Sequence, residues 1–261
     1  MEKHKAVPHR LLLRHSALPL SVWMLLVIVS LWVSIDKLER STLEVAETQG
    51  REVFSLVESL RVWNAEHGGI FVPQTDRDPP NPYLASDLRT EVTASGQRLT
   101  RLNPAYMTRQ ISDVIAREAS VRLKLTSLNP INPGNAPDTW QRRALERFHN
   151  GEAASSFAIE HVDGVAYGRY IAPLPVKEAC LPCHAVQGYK LGDVRGGLAV
   201  EWPVQPLIDA MRDAREHTFI AHGIVGLLVA VLMVFAIRHF LGNMAVIRHS
   251  RQELVDTNIG L

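Results

Sequence analysis

Cys180-Leu181-Pro182-Cys183-His184 holds the only two cysteines among 261 residues. Two thiols separated by two residues and followed directly by histidine form the attachment signature of c-type haem. In that chemistry each thiol adds across a porphyrin vinyl group, and the histidine supplies a nitrogen ligand to the iron. Cys180 and Cys183 are therefore the expected sites of one covalently attached haem c, with His184 as the proximal iron ligand.

The spacing has rivals: a redox dithiol, a structural disulfide, or half of a zinc site. A closed zinc site needs more ligands, such as a second C-x-x-C or an H-x-x-x-H, and the chain has neither. A redox dithiol is usually placed with its first cysteine at a helix start. Here Pro173 and Pro175 precede the pair and Pro182 lies inside it, which reads as loop. The second axial position is open. Met107 is the first candidate, because a thioether suits haem iron; the competing role is a core methionine. His67 is the alternative, against a plain helix-end role favoured by the helix dipole. His149 and His161 rank lower, and a vacant or water-filled position would suit a gas sensor. The propionates would need cations. Arg109 and Arg122 are the first candidates, followed by Lys124, Arg142, Arg143 and Arg169, each of which could equally be a solvated surface charge.

These groups need a scaffold, and composition bounds it. Basic and acidic residues number 28 and 27, a balance that gives no reason to expect a nucleic-acid partner. Residues 17–35 and 219–237 carry no Asp, Glu, Lys or Arg, and each run is long enough to cross a bilayer as a helix. The first lacks a small-x-small cleavage site before Asp36-Lys37 and reads as a retained anchor, not a signal peptide. Lys3, Lys5, Arg10 and Arg14 precede it, and Arg238, Arg248 and Arg251 follow the second run. Positive charge at both outer ends places both termini in the cytoplasm. The expected organisation is a cytoplasmic segment (1–16), a first span (17–35), a periplasmic domain (36–218), a second span (219–237) and a cytoplasmic tail (238–261) of a bacterial inner-membrane protein.

Within the central region, Val53, Val57, Leu60 and Trp63 recur at helical spacing and run on from the first span. His67-Gly68-Gly69 stops that helix, and Ile70-Phe71-Val72 reads as a short strand. Asn103-Pro104 opens a second helix as N-cap and first-turn proline. Residues 121–125 alternate as a half-buried strand. Asp138 caps a helix that Asn150-Gly151 closes, and Asp163-Gly164 joins a hairpin. Residues 196–202 give a last strand and 204–215 a helix returning to the membrane. Helices flanking a small antiparallel sheet make an α+β domain.

With this element order, the chain resembles the c-type-haem PAS-like periplasmic sensor domains of bacterial membrane histidine kinases and diguanylate cyclases. The resemblance is carried by Trp63-Asn64-Ala65-Glu66-His67-Gly68-Gly69, Asn81-Pro82-Tyr83-Leu84, Asn103-Pro104-Ala105-Tyr106-Met107-Thr108-Arg109-Gln110 and the cysteine motif, and it spans most of residues 36–202. It implies a PAS-like fold, one covalent haem and redox or small-ligand sensing. Such chains often continue into an output domain, whereas this one stops 24 residues after Ile237. The signal is therefore expected to pass to a separate cytoplasmic partner such as a kinase or cyclase, with a homodimer expected by analogy. The alternatives are a tethered electron carrier with a redox partner and, less favoured, haem-dependent peroxidase or nitrite chemistry. No catalytic constellation appears, so the chain is expected not to be an enzyme.

Overall fold

A computed structural model describes residues 9–259; Lys3 and Lys5, part of the charge argument for orientation, lie outside them. The chain forms two units, Met1–Ser41 with Asp209–Leu261, and Thr42–Ile208.

The first unit is helical. Helix α1 runs from His9 to Glu66 without a break, and α5 runs from Gln205 to Ile259. The expected anchors are thus segments of two long helices, each long and apolar enough to cross a membrane. The apolar segments touch through small and polar groups: Trp23 Nε1 donates to Gly226 O at 2.9 Å, and Ser30 Oγ meets His222 Nε2 at 3.2 Å. Lacking a side chain, Gly226 lets Val27 approach, as is usual where helices pack in lipid.

The second unit is α+β. After α1 come β1 (Ile70–Pro73), β2 (Thr90–Val92) and β3 (Arg98–Leu102), an antiparallel sheet in the order β1-β3-β2. Then follow α2 (Pro104–Ala119), β4 (Arg122–Thr126), α3 (Thr139–His149), β5 (Ser156–Val162), β6 (Val165–Pro175), the short α4 (Leu181–His184) and β7 (Val194–Pro203). The last four strands pair antiparallel in the order β4-β7-β6-β5. The local signals act as expected. Asn103 Oδ1 accepts from Tyr106 N at 3.0 Å, Asp138 and Gln141 close a reciprocal capping box, and Asp163 and Gly164 both take positive φ in the hairpin turn. The β2–β3 hairpin was not foreseen.

Side-chain alternation divides the four-stranded sheet into two faces. Leu123, Leu125, Tyr170, Ala172, Leu198, Val200 and Trp202 pack with Ala46, Phe54 and Val57 of α1. Ile171 and Ala199 point the other way, onto Ala144, Leu145 and Phe148 of α3. The Trp202 ring lies in a slot left by two glycines: a Cβ on Gly50 would come within 2.4 Å of the ring, and one on Gly168 within 2.6 Å. Gly50→Val is therefore expected to cost about 1–3 kcal/mol by overpacking. A urea titration of the solubilised chain checks this, and unchanged stability would show that the ring has room to move.

Candidate functional site

The β6–β7 connection carries the cysteine motif. A 3-10 turn, Glu178–Cys180, leads into α4, so Cys180, Cys183 and His184 stand at i, i+3 and i+4 of one helical turn. That spacing puts three side chains on one face, and all three line a single cavity of about 910 Å³. The volume lies in the upper part of the range for small-molecule and cofactor pockets. The apolar wall includes Leu84, Leu88, Ala105, Leu125, Ile131 and Leu174. Both cysteines are half-buried and free of disulfide. No cluster of three or more His, Cys, Asp or Glu forms among the described residues, so the zinc alternative lacks its remaining ligands there.

Burial pushes the His184 imidazole below its ordinary range, with the positive charges of Arg195 and Arg61 adding to the effect and a hydrogen bond to Gln187 opposing it. The ring is therefore neutral near pH 7, as a metal ligand must be. Its Nδ1 has two neighbours, Gln187 Oε1 at 2.7 Å and Arg195 Nε at 3.3 Å. One nitrogen cannot donate to the first and accept from the second at once. The shorter contact is to an amide oxygen, so Nδ1–H donates to Gln187 and Nε2 keeps its lone pair. A hydrogen bond that fixes the tautomer in this way is the usual support of a ligating histidine. Arg195 spends Nη1 on Ser127 Oγ at 2.7 Å and Asn129 O at 3.2 Å, and lies over the Tyr189 ring.

A second cationic corner forms where α1 meets α2. Arg61 Nη1 donates to Pro104 O at 3.0 Å and Thr108 Oγ1 at 2.9 Å. Arg109 sits between the Tyr106 and Tyr83 rings, 5.1 and 5.9 Å from their centroids, and reaches Asn81 Oδ1. Asn81 Nδ2 in turn donates to Asn103 Oδ1. The two sequence blocks at residues 81–84 and 103–110 are thus one polar network that aims Arg109 at the cavity. Two free thiols, a neutral imidazole, an apolar wall and cationic edges fit a flat, mostly apolar ring that carries carboxylates.

The profile of the Tll0287-like family matches residues 39–203. The chain belongs to the Tll0287-like family. The Tll0287-like match contains every residue that lines the cavity. Among solved structures, the cyanobacterial heme-protein Tll0287 is 19% identical with a TM-score of 0.39, over 60% of this chain and 95% of that one. A C-terminal domain from Streptococcus mutans is 10% identical with a TM-score of 0.26, over 46% of this chain and 96% of that one. No curated protein matches.

Within this Tll0287-like unit, several expected partners stand away from the cavity. Met107 is buried but is not in the cavity wall; its sulfur lies 3.4 Å from Asn64 Nδ2. His67 is exposed at the end of α1, its ring tilted against that of Trp63, and it bonds Trp63 O through Nδ1. His149 bonds Leu145 O, and His161 is exposed on β5. Arg122 and Lys124 alternate with Leu123 and Leu125, which face the α1 core, so they point to the opposite face of the sheet and not into the cavity. Arg142 and Arg143 are exposed on α3, and Arg169 is bound by three carboxylates on the α3 face. Of the foreseen cations only Arg109 reaches the cavity. Arg61, Arg195 and Gln187 were missed, because single arginines and glutamines on a helix, a strand and a loop carry no sequence signal of convergence.

Proposed function

We propose that this chain is a membrane-anchored haem c sensor: a PAS-like unit outside the inner membrane that responds to redox state or a small ligand. One observation carries the reading, the convergence of Cys180, Cys183 and His184 on the wall of one large cavity. Membership of the Tll0287-like family supports it, as does the description of Tll0287 itself as a heme-protein. When bound, the haem would supply reversible one-electron chemistry or an iron site for a small ligand. The chain's own residues do the rest. Cys180 and Cys183 would hold the ring by thioethers, His184 Nε2 would face the iron, and Gln187 would keep the imidazole in the ligating tautomer. The apolar wall excludes water.

The output route in this reading is mechanical. Lys177, just before the motif, pairs with Glu58 of α1 at 3.0 Å, and α1 is one helix through the apolar segment. Movement of the haem loop would pull on α1 and be read across the inner membrane, with both termini cytoplasmic, by a histidine kinase, a diguanylate cyclase or a similar partner. Leu56, Leu60 and Trp63 form an exposed apolar line on α1, which suits pairing with a second copy. The protein is read as a binding protein and not as an enzyme, with no nucleic-acid partner.

The electron-carrier reading is favoured by one feature: Val186 and Leu191 beside the motif are 89% and 61% exposed, an apolar edge where a redox protein could dock. Deleting residues 238–261 separates the two, because a carrier keeps exchanging electrons while a sensor falls silent. The primary test is a pyridine haemochrome spectrum of the chain made with intact cytochrome maturation machinery. A spectrum of haem with both vinyl groups saturated is expected, and its absence would sink both readings.

A further inference from the structure

We propose that Arg61 and Arg109 seat the two haem carboxylates, so that the propionate edge is gripped by α1 and α2 while the iron is held by the β6–β7 connection. This rests on the haem reading above. Both guanidinium groups line the cavity, and neither makes an ion pair among the described residues. Arg61 is anchored through Nη1 alone, which leaves Nε and Nη2 for another partner. Burial pushes Arg61 down to about 10, only partly offset by Cys180 and Glu58. Burial likewise lowers Arg109, against Tyr106, Tyr83 and Asp113.

A partly desolvated guanidinium without an anion is costly. Glu58, the carboxylate that acts on Arg61, already bonds Lys177 at 3.0 Å. Arg195 spends Nη1 on Ser127 and Asn129 and lies over the Tyr189 ring, away from α1 and α2. Arg61 and Arg109 are the remaining arginines of the wall, and both sit at the α2 end beside Pro104 and Ala105. The planar guanidinium fork matches a carboxylate by two parallel hydrogen bonds. A haem placed this way contacts α1 directly through Arg61, besides the Lys177–Glu58 pair.

The test uses the full haem-loaded chain in detergent, with R61Q, R109Q, R61K and the unmodified protein compared by spectroelectrochemistry and resonance Raman. Removing a cation near the iron favours the ferric state, so R61Q and R109Q are each expected to lower the midpoint potential. Each should also shift the propionate-bending Raman band and give the potential a proton-coupled slope near neutral pH. R61K should recover the potential but not the Raman band, because lysine keeps the charge and loses the fork. The haemochrome spectrum should stay unchanged throughout, showing that attachment is intact. A wild-type Raman band and potential in R109Q and R61K would overturn the proposal while leaving the haem reading in place. No haemochrome in the unmodified protein would instead remove the haem reading and this seat together.

Discussion

Changing both Cys180 and Cys183 to alanine is expected to abolish the peroxidase-active haem band on denaturing gels completely. Each thioether forms when a thiol S–H adds across a vinyl C=C, so no covalent tether survives loss of both sulfurs. Both side chains are half-buried on a short helical turn and lie outside the two hydrophobic clusters. With haem absent from both proteins, their truncation should therefore cost within about 0.5 kcal/mol of folding stability, and urea titration of the haem-free chains in parallel checks that the loss is chemical and not a folding failure. The single variants sharpen the result. With one vinyl left conjugated to the ring, each should give a haemochrome band moved to longer wavelength. Both sulfurs line the same cavity wall as His184, so both singles are expected to behave alike. If the double variant keeps its band, the thiols are not the attachment points.

The parts of this fold that could be read from the sequence are those fixed by neighbours along the chain. Asn103-Pro104, Asp138 and Asp163-Gly164 each act within four residues, and each cap or turn formed where expected. The grouping of Cys180, Cys183 and His184 was legible for the same reason, since the three share one helical turn, although the prolines had pointed to a loop. The β2–β3 hairpin was not, because Arg98-Leu99-Thr100-Arg101-Leu102 has few apolar residues to mark an inner face. Its buried Thr100 bonds Asp78 O, a partner 22 residues away.

The same limit separates the motif from its surroundings. Arg61 comes from α1, Arg109 from α2 and Arg195 from β7, and only the tertiary fold gathers them. The surroundings of Met107 were not legible either, because a buried thioether looks alike in sequence whatever it meets, and here it meets the amide of Asn64. Arg122 was correctly placed on an alternating strand, but alternation does not say which face of a sheet holds the cavity. That choice is made by α1 and α2 covering one face and α3 the other.

Arg169→Met should be the most destabilising change away from the cavity, at about 2–3 kcal/mol near pH 7. The Arg169 side chain is 10% exposed and sits 4.6 Å over the Trp140 ring. Nε donates to Glu201 at 2.9 Å, Nη1 to both Glu160 oxygens at 3.0 and 2.9 Å, and Nη2 to Asp138 at 2.5 Å. Breaking a fully buried pair costs about 3–5 kcal/mol. The lower figure applies because the three carboxylates are 27% to 43% exposed and can recover water. The loss should depend on pH. Burial raises the Asp138 carboxyl, but the Gln141 backbone N–H and Arg169 outweigh it and hold the group below the usual range. A carboxyl depressed in the folded state stabilises above its unfolded value, about 4, and that contribution is lost as pH falls through the folded value. The gap between the parent protein and Arg169→Met in urea titrations should therefore narrow below about pH 4. The hub lies on the α3 face of the sheet, whereas the cavity wall draws on α1 and α2. Folded Arg169→Met should accordingly keep an unchanged haemochrome spectrum. Equal stability at pH 7 would mean that Trp140 and the α3 contacts hold this face without the cation.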